Sequence, residues 1–87
     1  MANPEHLEIL KQGVETWNRW RSLHSDIKPN PSYADLRNTD LKNIDLKSAE
    51  LSYANLILAD LKNTNLSGAD LNYAYLSYAY LSILFLL

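Results

Sequence analysis

The sequence has no cysteine, only two glycines and three prolines, and no excess of basic side chains. Without cysteine, the chain cannot form a disulfide framework, a cysteine-ligated zinc site or a thiol nucleophile. Two isolated glycines leave no glycine-rich loop that could cradle a phosphate. Ten acidic and eight basic side chains give a net charge of -2, so the composition predicts no general attraction to nucleic acid or to anionic membranes.

A chain of 87 residues forms one small domain and buries a low fraction of its surface. The first twenty residues carry Glu5, Glu8 and Glu15 among the apolar positions, which excludes the continuous hydrophobic segment of a secretory signal. We therefore expect a cytoplasmic protein whose small core has its ends covered, or is completed by association.

The most informative pattern is a leucine at every fifth residue. A small or apolar residue lies two positions before each leucine, and Asp, Asn or Glu lies one position before the first eight of them. Aromatic residues take that second position in the last three units. The leucines are Leu36, Leu41, Leu46, Leu51, Leu56, Leu61, Leu66, Leu71, Leu76, Leu81 and Leu86.

A period of five fits neither regular secondary structure. On an α-helix, successive leucines would step by roughly 140° and leave no apolar stripe. In a straight strand, they would alternate between the two faces. Both conflicts disappear if the chain turns a corner after each short extended piece, so that every leucine points to one axis. The pattern therefore predicts a solenoid.

The units at 34–38 (ADLRN) and 69–73 (ADLNY) resemble the A(D/N)LXX motif of the pentapeptide-repeat family, and eleven consecutive units over about 32–87 carry the resemblance. The resemblance implies an all-β solenoid: a right-handed quadrilateral β-helix with four pentapeptides per coil and nearly three coils. Leu36 to Leu81, at every fifth residue, would fill its core. With a rise of about 4.8 Å per coil, the stack would be about 14 Å tall.

Residues twenty apart should lie above one another in such a stack. Tyr33, Tyr53 and Tyr73 are therefore expected to form an aromatic column on one corner. We interpret this column as surface packing that helps the register, and not as a platform for a ligand.

The segment before the repeats is different, and we divide the chain into a capping helix with its linker at 1–30 and a β-helix at 31–87. Asn3 is a good N-cap, and Pro4 suits the first helical position. Apolar residues at spacings of three and four predict one amphipathic helix over about 3–24, which would cover the exposed end of the first coil. It resembles the helical leader of bacterial members of the family. The predicted cap residues are Leu7, Leu10, Val14, Trp17 and Trp20.

No charged residue follows Asp70. A membrane helix is one interpretation of this segment, but the leucines keep their period of five through it, and asparagine, serine and tyrosine dilute its hydrophobicity. A longer protein whose coils continue is another. We favour a protein interface on the last coil that forms a tail-to-tail homodimer. The predicted interface residues are Tyr73, Tyr75, Tyr78, Tyr80, Ile83, Phe85 and Leu87.

The sequence offers no candidate catalytic, cofactor or metal site. His6 and His24 are eighteen residues apart without a partner at metal-site spacing, and we expect both to be solvated surface histidines. The serines at variable positions lack the surroundings of a nucleophile. The carboxylates recur along a wall instead of converging in a pocket, so we expect a protein that is not an enzyme.

Some longer pentapeptide-repeat proteins resemble duplex DNA and bind type II topoisomerases such as gyrase. Here Arg37, Lys42, Lys47 and Lys62 each follow an acid by two residues, which should neutralise much of the acidic surface locally. A stack of about 14 Å also covers only about four base pairs of DNA. We therefore keep DNA mimicry as the alternative to a non-enzymatic interaction or assembly module that self-associates and binds an unidentified protein.

Overall fold

The computed structural model describes residues 2–80 and the backbone of a short strand at 85–86. Helix α1 spans Pro4–Lys11 and helix α2 spans Val14–Leu23. Strands β1 (Asn65–Leu66) and β2 (Phe85–Leu86) pair in parallel. Within the described ranges, no helix is long and apolar enough to cross a bilayer.

The prediction of one capping helix is wrong, because the structure has two helices that pack against each other. The side chain of Asn3 caps α1 by accepting hydrogen bonds from the backbone N–H groups of Glu5 (2.9 Å) and His6 (3.3 Å). The helix then ends before Gly13, whose φ of 105° is accessible to glycine and interrupts the helical backbone. The apolar spacing continues across this break, which is why the sequence suggested a single helix.

From residue 31 onward, residues that are twenty positions apart in the sequence lie next to each other in the structure. Isolated parallel bridges join residues twenty apart on four successive faces: Asp35 to Asn55 and Asn55 to Tyr75, Asp40 to Asp60 and Asp60 to Tyr80, Asp45 to Asn65, and Glu50 to Asp70. We call residues 31–50 the first layer, 51–70 the second layer and 71–80 the third layer. Only β1 and β2 form regular strands in the described part of the chain, because a corner follows each extended piece at once.

Each corner is a tight turn around a residue in the left-handed region of φ. Ten residues at intervals of five, from Tyr33 to Tyr78, have φ between 57° and 70°. The turn closes when the small residue of the next unit donates its N–H to the preceding leucine carbonyl, as from Ala54 to Leu51 at 3.0 Å. Six of these ten residues are neither glycine nor asparagine, so those corners are formed against an intrinsic cost of about 1 to 2 kcal/mol each.

The Asp or Asn of each repeat has a structural task at the corner. Its side-chain oxygen accepts a hydrogen bond from the backbone N–H two residues later, as from Lys62 to Asp60 (3.1 Å) and from Ser67 to Asn65 (3.1 Å). Both Asp and Asn have such a side-chain oxygen. It is needed because the N–H group at a corner points away from both neighbouring layers and would otherwise lack a partner. The recurring carboxylates are therefore explained by the hydrogen bonds that they accept from backbone N–H groups.

The core lies inside the layers and is most complete in the middle of the stack. Leu71 and Leu76 in the third layer are only half-buried, and Leu81 lies outside the described residues. Among the smaller residues, Thr64 is fully buried and bonds through Oγ1 to the carbonyl oxygen of Leu41 at 3.3 Å. The buried leucines of the repeats are Leu36, Leu41, Leu46, Leu51, Leu56, Leu61 and Leu66.

The predicted tyrosine column is confirmed. The ring centroids of Tyr33 and Tyr53 are 4.9 Å apart with an interplanar angle of 5°, and those of Tyr53 and Tyr73 are 5.0 Å apart at 12°. The spacing follows the distance between neighbouring extended chains. The column therefore links all three layers along one corner.

Candidate interaction surfaces at the two ends

The first layer is covered by side chains of α2. Trp17 Nε1 donates to the carbonyl oxygen of Asp45 at 2.7 Å, and Asn18 Oδ1 accepts from the N–H of Asp45 at 2.8 Å. Asn18 Nδ2 also donates to the carbonyl oxygen of Asn43 at 3.0 Å. One layer further on, the N–H of Asn65 donates to the backbone of Ile44 at 3.2 Å. Helix α2 thus supplies, with side chains, the partners that a preceding layer would supply with its backbone.

The predicted cap residues differ in how deeply they lie. Leu10 and Trp17 are buried, whereas Leu7, Val14 and Trp20 are half-buried against the core. The linker adds a backbone contact to the same end, because the carbonyl oxygen of Pro29 accepts from Glu50 N–H at 2.9 Å. At this end of the stack, the outward N–H groups of Asp45 and Glu50 therefore have partners, and the leucines of the first layer are buried.

Most of the predicted charge pairs are present. Arg37 forms a two-pronged hydrogen bond with Asp35, both contacts being 2.8 Å. This hydrogen bond from the Arg37 guanidinium, with a second from the Arg37 backbone N–H, lowers the pKa of the Asp35 carboxyl. The pairs Asp40–Lys42 (3.7 Å) and Asp60–Lys62 (3.9 Å) are longer.

The fourth charge pair was predicted with the wrong partner. Arg21 of α2 lies 3.6 Å from the Asp45 carboxylate and also donates to the carbonyl oxygen of Lys47. Asp45 is therefore neutralised from the cap and not by Lys47. The guanidinium side chain is only 11% exposed, so this ion pair belongs to the closed end of the stack.

A cleft of about 570 Å³ lies between α2, the linker and the first layer. Arg21, Asp26, Lys28, Asp45 and Lys47 line it with serines, so its charges are mixed. Its lining contains no histidine, so the serines there have no imidazole base beside them. Among the described residues, no group of three or more His, Asp or Glu side chains could hold a metal ion.

The expectation that both histidines are solvated is wrong for His6, which is 7% exposed. Its Nδ1 accepts a hydrogen bond from the Asn30 N–H at 2.9 Å, and its ring packs 4.8 Å from that of Trp20. His24 is half-buried, and its ring also contacts Trp20, with ring centroids 5.6 Å apart. Sequence spacing could not reveal the hydrogen bond between His6 and Asn30, because the two residues lie 24 positions apart.

The end formed by the third layer is uncovered on two faces. In the second layer, the N–H groups of Leu51 and Leu56 donate to the carbonyl oxygens of Asp70 and Tyr75, both at 2.8 Å. In the third layer, the equivalent N–H groups of Leu71 and Leu76 have no backbone partner among residues 2–80 and 85–86. On the next face, β2 pairs with β1 of the second layer, at the same level as Tyr75 and Tyr80.

The predicted interface tyrosines lie around this uncovered edge. Tyr73, Tyr75, Tyr78 and Tyr80 are all exposed, and Tyr78 is the most exposed of them at 86%. The ring of Tyr80 contacts Lys62 Nζ, 4.7 Å from the ring centroid. Of the other predicted interface residues, Phe85 is described only by its backbone in β2, and Ile83 and Leu87 lie outside the described residues.

The repeats match a known protein family. The family model for pentapeptide repeats matches residues 32–68 and 49–82, with eight copies. The two ranges together cover more than half of the chain and include most of all three layers. No curated protein matches the sequence.

Proposed function

Because the chain belongs to the pentapeptide-repeat family, we propose that it is a non-enzymatic protein-interaction module that self-associates through its third layer. The observation that carries this proposal is the difference between the second and third layers. The same leucine positions are enclosed and backbone-paired at Leu51 and Leu56, but half-buried and unpaired within the described residues at Leu71 and Leu76.

We further infer that the layers wind as a right-handed quadrilateral β-helix of nearly three coils, as the family implies. Four parallel pairing positions per twenty residues and a left-handed corner at every fifth residue support this inference. A crystal structure of the chain tests it. We expect four faces per coil and a right-handed path, and a left-handed path or a helical second half would contradict the inference.

A second copy of the same edge suits this surface in its charge. From residue 71 onward the sequence has no charged side chain, so two such edges meet without repulsion between like charges. Two apolar, aromatic edges related by a two-fold axis bury each other and leave no further edge of the same kind, which limits assembly to a dimer. Tyrosine is also a frequent anchor of protein interfaces.

Sedimentation of the intact chain at micromolar concentration tests self-association. The wild-type chain should sediment as a dimer, and Tyr78→Lys should shift it to a monomer, because a charge placed at the interface must be desolvated. Tyr33→Lys is the matched control: Tyr33 is also an exposed corner tyrosine with φ of 63°, against 58° for Tyr78, but it lies in the first layer. A monomeric wild-type chain, or equal effects of the two variants, would contradict the proposal.

DNA mimicry receives less support from the same contacts. Asp35, Asp40 and Asp60 each pair with a cation two residues later, and Asp45 pairs with Arg21. These pairs break up the continuous negative surface that a duplex presents. We therefore expect no inhibition of gyrase supercoiling at high micromolar protein.

A further inference from the structure

His6 connects the cap to the segment that leads into the first layer. Its Nδ1 accepts the Asn30 N–H at 2.9 Å, and the Asn30 carbonyl oxygen accepts the Asn3 N–H, also at 2.9 Å. Asn30 is therefore tied to the start of α1 through both of its backbone groups. The next residues, Pro31 and Ser32, are buried and are the first residues of the first layer.

The hydrogen bond to Asn30 requires a neutral imidazole. A backbone N–H is only a donor, so the ring nitrogen that receives it must carry a lone pair and no proton. Protonation of Nδ1 would place two N–H donors against each other at this distance. The His6 ring or Asn30 would then have to move apart.

His24 makes the opposite kind of contact. Its Nδ1 lies 3.0 Å from the carbonyl oxygen of Trp20, an acceptor that pairs with a ring N–H in both the neutral and the protonated imidazole. Both imidazole rings contact the Trp20 ring, so the histidines share one aromatic neighbour but differ in the partner of Nδ1. Protonation is compatible with the described contact of His24 and incompatible with that of His6.

The surroundings of His6 determine when it takes up a proton. Burial lowers the pKa of His6 and is the largest influence. Glu5, on the same helix, raises it, and Arg21, which faces it from α2, lowers it. The linker contributes the Asn30 N–H donor, which also favours the neutral ring.

We propose that His6 is a pH-sensitive latch of the cap: protonation of Nδ1 breaks the hydrogen bond to Asn30 and releases α1 from the segment that enters the first layer. Release would loosen the cover over Leu36 and its neighbours in the first layer. The inference does not depend on self-association, because it concerns the opposite end of the stack.

The direction of the pH effect follows from linkage. In the released state His6 is solvated and has an ordinary pKa of about 6.5, whereas its pKa in the closed cap is lower. The released state therefore binds more protons. The closed cap is most stable above about pH 6.5, and its stability is lost as the pH falls toward the lowered pKa. Over that interval, the equilibrium constant for release should rise by up to about tenfold per pH unit.

An NMR titration of the wild-type chain from pH 7.5 to 5.0 tests the latch while the carboxylates stay ionised. The imidazole signals give both histidine pKa values directly, and amide exchange at Asn30 and the indole N–H signal of Trp17 report the cap. We expect the protection factor of the Asn30 N–H, which is its exchange rate corrected for the base-catalysed intrinsic rate, to fall as His6 titrates, and the Trp17 indole signal to shift over the same pH range. A constant Asn30 protection factor through the titration of His6 would overturn the proposal.

Two variants assign the response to one histidine. His6→Asn keeps an acceptor near the position of Nδ1 but cannot titrate, so the Asn30 protection factor should lose the change that follows His6. His24→Asn is the matched control and should keep the wild-type response. If the response survives in His6→Asn, the latch is wrong. The wild-type titration decides the question alone if a variant does not fold.

Discussion

The two ends of the stack differ in how their outward backbone groups find hydrogen-bond partners. At the first layer, Trp17 and Asn18 satisfy backbone groups of Asp45 that face away from the second layer. At the third layer, Leu71 and Leu76 keep half-buried side chains and N–H groups without a backbone partner among the described residues. The comparison teaches that a helix can replace a neighbouring layer through a few polar side chains, and that a layer without such a cover keeps backbone donors unpaired within the described residues.

Opening the closed end should have the largest effect. Trp17 is fully buried, so Trp17→Ala should lower the free energy of unfolding by about 3 to 5 kcal/mol through the cavity and the unpaired Asp45 carbonyl. Urea denaturation followed by far-ultraviolet circular dichroism measures this loss. Trp17→Phe is the control and should cost clearly less, because much of the packing remains. A loss below 1 kcal/mol for Trp17→Ala would show that the helix is not an essential cover.

The same leucine position in two successive layers sharpens the comparison. Leu56 is 1% exposed and Leu76 is half-buried. Leu56→Ala should cost about 2 to 5 kcal/mol, and Leu76→Ala roughly half of that or less in dilute, monomeric protein. Urea denaturation at low and high protein concentration provides the test. The gap should narrow at high concentration, where a second copy covers Leu76, and a gap independent of concentration would contradict covering by association.

The smallest effect concerns the polar part of the cap. Asn18→Ala removes hydrogen bonds to the N–H of Asp45 and the carbonyl oxygen of Asn43, which should cost about 1 to 2 kcal/mol. Arg19→Ala on the same helix changes an exposed residue and should stay within about 0.5 kcal/mol of wild type. Thermal or urea unfolding compares the two, and equal effects would show that the side-chain amide does not stabilise the cap.

The repeating part of the chain was predictable because its environment recurs. The leucine at every fifth residue marks the core, and residues twenty apart pair in parallel. The tyrosine column followed from the same arithmetic. Periodicity could also have suggested the corner position, since Asn38, Asn43 and Asn63 tolerate positive φ. Tyrosine and leucine at equivalent positions hid that signal.

The cap was less predictable because its contacts occur once and join distant residues. Gly13 breaks the helix although the apolar spacing continues across it. Arg21 forms the ion pair with Asp45 although the two residues lie 24 positions apart in the sequence. The local rule that paired Asp45 with Lys47 therefore gave the wrong partner. His6 is buried by Trp20 and bonded to Asn30, a contact that has no periodic signature in the sequence.

Amide hydrogen exchange at Leu71 and Leu76, measured over a range of protein concentrations, tests most directly whether the third layer is an associating edge. We predict that exchange at both amides slows as concentration rises through the dimerisation range, while Leu51 and Leu56 stay protected throughout. Exchange at Leu71 and Leu76 that is fast at every concentration, or protection that grows instead at the capped first layer, would contradict the account.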